Sequence, residues 1–238
     1  MIDNDILFFS GSFEQSISAL EHFNLKLRGL YIAFPEVKAQ YIELPLSNEI
    51  IDLTSVDGNI YYKQRSIQMD FDFLGDFHQW HTTMTKMASY LHGKRMKVVD
   101  TADAGFYYVG RLGIDTTKTD PITAQVTLTG TMNPFKYELL SSAEEWLWDP
   151  FDFVTGVIRE YNHLSVNGSL SINIPGTALT VVPLMTVSAA MEVAFEGKTY
   201  NLHEGINKIY PIKLKEGDNI LTFKGDGTVS IDYRGGWL

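Results

Sequence analysis

The chain has 238 residues, enough for one large or two small domains, and its 45% hydrophobic content excludes a disordered protein. Its 19 basic side chains face 29 acidic ones, a net charge of −10, and neither half shows the basic excess of a nucleic-acid binder. It has no cysteine, which excludes disulfides, thiolate metal sites and cysteine nucleophiles. No apolar run has the length of a membrane-spanning helix. The first residues carry acids and no basic segment, so no signal peptide is expected. The absence of cysteine fits folding in a reducing cytosol.

Most of the chain reads as strands. "NIYYKQRSIQMDFDFL", residues 59 to 74, is rich in β-formers and runs directly into a helix. Asp70 and Asp72 share one strand face there and have the spacing of a calcium or acid pair, but a lone pair of this kind is usually solvated. The helix is expected from Asp76. Asp76 and Gln79 have capping-box spacing, and Phe77, Trp80, Met84, Met87, Ala88 and Leu91 form an apolar stripe. Gly93 is the expected stop. His78 and His92 lie fourteen residues apart on the other face, roughly 21 Å at 1.5 Å per residue, too far to share a metal ion. His78 and His81 stand three apart, but no carboxylate completes a zincin-like pattern. Lys94, Arg95 and Lys97 sit where cations favour the helix dipole.

"KRMKVV" and "GFYYVGRLGI" flank "DTADAG" and read as a hairpin. "ITAQVTLTGTM" alternates, which puts Ile122, Ala124, Val126, Leu128 and Met132 on a buried face. The first part of the chain is therefore expected to be a β-sandwich or barrel-like sheet with one helix across it, an α+β arrangement. "ELLSSAEEWLWDPFDFVTGV" breaks the pattern and reads as a docked connection, with Trp146, Trp148, Phe151 and Phe153 packed on a neighbouring surface. From about residue 159, glycine turns at "NGS", "PGT", "EGK", "HEG", "KEGDN", "GDG" and "RGG" separate short β runs: "LSINI", "MEVAF", "NILTF" and "TVSIDY". That texture predicts a small antiparallel sandwich, with "GDGT" at 225 to 228 as a hairpin turn. The expected division is residues 1–140, a connection at 141–158 and a sandwich at 159–238, mainly β overall.

No G-x-S-x-G, P-loop, G-x-G-x-x-G or H-E-x-x-H occurs, so no enzyme activity, cofactor or metal is expected. Tyr61, Tyr62, Tyr107 and Tyr108 form adjacent pairs, so one ring of each pair should face outward, either at an interface between protomers or as a sugar-stacking platform.

An ordered set of segments carries a family likeness: "LPLSNEIIDLT", "YYKQRSIQMDFDFLGD", "SYLHGKRMKVV", "YYVGRL" and "MNPFKYEL". Their order over about 100 residues resembles the siphophage distal tail protein family, including prophage members from Gram-positive hosts. The sequence departs from the family pattern at Pro45, Leu46, Ser47, Asn48 and Glu49, where a Pro-Gly-Arg-x-Gly turn is common, and the first 22 residues match poorly. The resemblance implies an N-terminal domain that forms a hexameric ring at the virion tail tip. The ring would join the major tail tube protein to the tail-tip or fibre protein and let DNA through. A galectin-like C-terminal sandwich would sit outside, with receptor-binding proteins among the expected partners. Neither membrane insertion nor specific nucleic-acid binding is expected. The candidate contact residues are Tyr61, Tyr62, Arg65, Lys94, Arg95, Tyr107, Tyr108 and Arg111. A carbohydrate-binding adhesin acting through the C-terminal sandwich is the alternative reading, and a cell-wall hydrolase is a weaker third.

Overall fold

A computed structural model describes residues 4–13, 15–46, 48–143 and 160–238. The chain divides into two units, one of residues 1–103, 107–136 and 238, the other of 104–106 and 137–237. The connection expected at 141–158, with its four aromatics, lies outside the described residues except for 141–143.

Alternation builds the first unit. Its strands are β1 (Ile6–Phe9), β2 (Ile17–Ser18), β3 (Leu25–Ile32), β4 (Tyr41–Glu43), β5 (Ile50–Asp52), β6 (Arg65–Phe73), β7 (Arg95–Asp100), β8 (Phe106–Lys118) and β9 (Gln125–Met132). Seven of them line up in the order β2-β1-β7-β8-β9-β6-β3, and the pairings along that order are antiparallel. The expected hairpin is β7 with β8. Ile67, Met69 and Phe71 of β6 and Val126, Leu128 and Met132 of β9 fill one face, while Ser66, Gln68, Thr129 and Thr131 occupy the other. Ile122 departs from the expected buried face and is 92% exposed. Asp120 Oδ1 accepts the backbone N–H groups of Ile122 and Thr123 at 2.8 and 3.2 Å, which holds a turn there and delays the strand to Gln125.

The predicted helix closes the apolar face. A 3₁₀ turn over Phe77–Gln79 leads into α2 (Trp80–Leu91), labelled second because a five-residue helix, α1 (Ala19–Phe23), precedes it. Asp76 accepts the N–H of His78 at 3.0 Å, so the cap is made by Asp76 without the reciprocal Gln79 bond. Trp80, Met87 and Leu91 are buried in the same cluster as the sheet residues. Gly93 stops the helix at φ 73° and donates its N–H to the Leu112 carbonyl at 2.8 Å.

The second unit contains β10 (Lys136–Glu138), β11 (Leu164–Gly176), β12 (Leu184–Val187), β13 (Met191–Phe195), β14 (Lys198–Leu202), β15 (Gly205–Asn207), β16 (Gly217–Asp232) and β17 (Gly236–Trp237). β11 is paired along its whole length with the Gly217–Val229 part of β16. The first half of β16 also pairs with β13 and its second half with β12. Val166, Ile174, Val193, Phe195, Leu221, Phe223, Val229 and Ile231 share one buried cluster, so this bent pair forms a sandwich around a single core. The bend corrects an expectation. Gly225 and Gly227 do not make a hairpin turn; "NILTF" and "TVSIDY" are one strand. Both glycines adopt positive φ, at 138° and 143°. A Cβ on Gly225 would meet Met191 Cβ at 2.8 Å, and one on Gly227 would meet Ser188 Oγ at 2.6 Å. The chain therefore turns a corner here without reversing. "NGS" likewise falls inside β11, with Gly168 opposite Gly225. "EGK" does make the expected tight turn, with Glu196 and Gly197 both at positive φ between β13 and β14.

Candidate assembly interface

Residues 33–64, between β3 and β6, leave the sheet as an arm. Backbone bonds from Lys63 N–H to Glu36 O (2.7 Å), Lys38 N–H to Tyr61 O (2.8 Å) and Leu53 N–H to Gln40 O (2.8 Å) zip it together, and β4 pairs with β5 toward its tip. At roughly 3.3 Å per residue, the run from Glu36 to Glu43 reaches about 25 Å. The arm carries its apolar side chains in the open. Phe34 is 82% exposed, Tyr41 60% and Ile50 60%, and Ile42, Ile51, Leu46, Val56, Ile60 and Tyr61 are exposed as well. Ile50 and Ile51 are neighbours on a strand, so both faces of the ribbon are apolar. A two-stranded ribbon is marginal in water without a surface to pack against.

Three of the arm's carboxylates are locally held. A hydrogen bond from Tyr61 Oη (2.6 Å), with help from the Asn59 N–H, keeps Asp57 below its ordinary pKa. The hydrogen bond and charge of Lys63 do the same for Glu36, at 2.9 Å, and bonds from Thr54 lower Asp52.

A cleft of about 1150 Å³ opens on the polar face of the sheet. Its walls include Tyr31, Gln68, His92, Arg95, Arg111 and Thr131. Arg95 and Arg111 are cross-strand partners, directly opposite one another. Arg111 donates to the Gly93 carbonyl beyond the end of α2, and Lys94 Nζ donates to Ser89 O at 2.7 Å. Lys94 and Arg111 thus satisfy carbonyls at and just beyond the helix end, whereas Arg95 reaches Asn133 Oδ1 and the Lys97 ammonium lies over the Phe13 ring. His92 Nδ1 accepts the Ile114 N–H at 2.9 Å, and the residue is exposed.

The sequence candidates separate. Tyr61 is exposed on the arm, and Tyr62 is half-buried, edge-on to Phe135 at 5.7 Å. Lys94, Arg95 and Arg111 are exposed. Tyr107 and Tyr108 depart from the expectation that one ring faces outward, since each is only 8% exposed. The residues that cover them explain this. Phe13 packs edge-on to Tyr107 at 4.9 Å, and the Arg65 guanidinium lies over the Tyr108 ring at 5.6 Å. Arg65 is itself buried, 3% exposed, between Tyr108 and Phe34 at the root of the arm. Its Nε and Nη2 have no hydrogen-bond partner among the described residues. Burial lowers its pKa, opposed by Tyr108, and burial raises the Tyr108 phenol, opposed by Arg65.

Asp70 and Asp72 are engaged across the sheet. Asp70 accepts from Thr127 Oγ1 at 2.8 Å and Asp72 from Gln125 Nε2 at 2.9 Å. Among the described residues, no group of three His, Asp or Glu could hold a metal ion. None of the described helices is long and apolar enough to cross a membrane.

No protein-family model and no curated protein matches the chain. Among solved structures, the crystal structure of SPP1 Dit is similar, with a TM-score of 0.62 and 12% identity over 97% of this chain and 98% of that one. That protein is described as a paradigm of the hub adsorption apparatus in phages infecting Gram-positive bacteria. The likeness shows a Dit-like fold along nearly the whole chain.

Proposed function

We propose that this chain is a structural protein of a siphophage tail tip. Residues 1 to about 140 form a hexameric ring with further copies. The ring joins the major tail tube protein to the tail-tip or fibre protein and leaves a passage for DNA, while the C-terminal sandwich supports receptor-binding parts outside it. Tyr61, Tyr62, Arg65, Lys94, Arg95, Tyr107, Tyr108 and Arg111 remain the proposed contact residues, directly or by holding the arm. The observation that carries this reading is the arm, whose apolar side chains face solvent on both sides of a ribbon. Exposed apolar surface of this kind marks an assembly surface. The Dit-like fold supports the tail-tip setting. The adhesin alternative has no comparable support; Tyr210 of the second unit is exposed, but the Lys208 ammonium lies 5.5 Å from its ring. Light scattering of the purified chain across concentration tests the reading. The expected mass is six chains, and a monomer throughout would contradict it.

A conduit should not hold its cargo. Each phosphate neutralised by Lys or Arg releases counterions and tightens binding. With a net charge of −10, this chain should show no salt-sensitive micromolar binding to duplex DNA. Fluorescence anisotropy at low salt is the most generous test. Binding there would contradict the conduit role and point to Lys94, Arg95 and Lys97 as the contact.

A further inference from the structure

We propose that the Arg65 guanidinium is a carboxylate-binding site, with one edge unfilled and Phe34 as its cover. The site stands apart from the assembly role above, which survives if the site fails.

The strand puts a charge where apolar side chains belong. Arg65 alternates with Ile67, Met69 and Phe71 on the buried face of β6, and its cross-strand partner Met132 belongs to the core. Taking a charge out of water is costly unless acceptors replace that water. Rings supply part of the compensation, with the Phe34 centroid 5.8 Å and the Tyr108 centroid 5.6 Å from Arg65 Cζ. An aromatic ring attracts the charge but does not accept two N–H groups as a carboxylate does.

The unpartnered atoms are a matched pair. Nε and Nη2 are the two without an acceptor. Their N–H bonds leave one edge of the guanidinium plane side by side, a fork that fits the two oxygens of a carboxylate. Acids of the same chain are engaged elsewhere. Beyond burial, the charges of Asp103 and Asp100 help raise the Tyr108 phenol, so both lie near the site. Asp103 receives Lys136 Nζ at 2.6 Å, and Asp100 Oδ1 accepts the Ala102 N–H at 3.0 Å. Glu36 pairs with Lys63 at 2.9 Å. None of the three fills the fork.

Phe34 is the movable wall. Bonds from Ala33 N–H to Ser66 O at 3.0 Å and from Lys63 N–H to Glu36 O at 2.7 Å set residue 34 across from Arg65. Its ring is 82% exposed, so a change of rotamer uncovers the guanidinium with little loss of packing.

The ligand class is a carboxylate, either dissolved or on an acidic side chain of a second copy, and the test separates the two sources. Thermal unfolding of the full-length chain is followed in sodium formate and in sodium chloride of equal ionic strength, beside Arg65→Met, Arg65→Lys and Phe34→Ala. Methionine keeps the length without the charge, and lysine keeps the charge without the fork. For a dissolved ligand, formate should raise the parent Tm saturably, by roughly 3–6 °C at about ten times its Kd. Both Arg65 variants should then show only the chloride response. Phe34→Ala should bind formate more tightly, since the site is open in more molecules. For a side chain of a second copy, formate has no effect, but both Arg65 variants weaken self-association about tenfold or more in sedimentation velocity. Their Tm then stays at or above the parent's, because an unfilled buried charge adds no stability. Three results overturn the site: Arg65 variants that respond to formate as the parent does, Arg65 variants that match the parent in both assays, or an Arg65→Met chain whose Tm falls well below the parent's, which would make the guanidinium part of the packing.

Discussion

Trp80→Ala should lower the stability of the first unit by roughly 3–5 kcal/mol, among the largest costs of any single substitution there. Trp80 is 1% exposed and packs edge-on to Phe73 at 5.2 Å between ring centroids. Its indole N–H donates to Thr119 Oγ1 at 3.0 Å, a bond that truncation also removes. Leu91→Ala, at the far end of the same stripe, should cost about 2–5 kcal/mol. His78→Ala should cost no more than about 0.5 kcal/mol, because its ring is exposed and the bond to Asp76 uses its backbone N–H. Urea denaturation of the three variants compares them directly. A histidine loss as large as the tryptophan loss would mean that the polar face of α2 has a role the packing does not explain.

Replacing residues 39–61 with a short glycine-serine link should abolish self-association and leave both units folded. The arm adds little to its own body. Its strands pair with each other, and Val37 with Tyr62, rather than with the sheet. Full burial of a large apolar side chain is worth about 1.5–3 kcal/mol, so four of the arm's residues would supply about 6–12 kcal/mol. The association penalty is about 4–15 kcal/mol. An assembly held by the arm therefore has little margin once it is gone. Light scattering and thermal unfolding of the truncated chain read the two effects separately. Retained assembly with an unchanged mass per particle would move the interface elsewhere.

Legibility in the sequence followed the range of the interactions. The helix was readable because its stripe and stop are set by residues within a few turns, and Trp80, Met87 and Leu91 are buried as the spacing required. The alternation of β9 was readable for the same reason, up to the Asp120 turn that frees Ile122. Tyr107 and Tyr108 were not readable. Strand parity puts one ring on each face, but Phe13 and Arg65 arrive from distant segments to cover both. "GDG" was misread because a positive-φ glycine serves a turn and a strand corner alike, and only the approach of Met191 and Ser188 decides between them. The arm gave no alternation because it buries neither face within its own chain. The candidate arginines were legible as types, from family-like segments. Their opposition across β7 and β8 depends on the register of the hairpin and came from the structure.

The most direct measurement of the central claim is an electron micrograph of the purified full-length chain at high concentration and low salt. The account predicts closed rings of six copies with an open centre. A field of single-copy particles under the same conditions would contradict it.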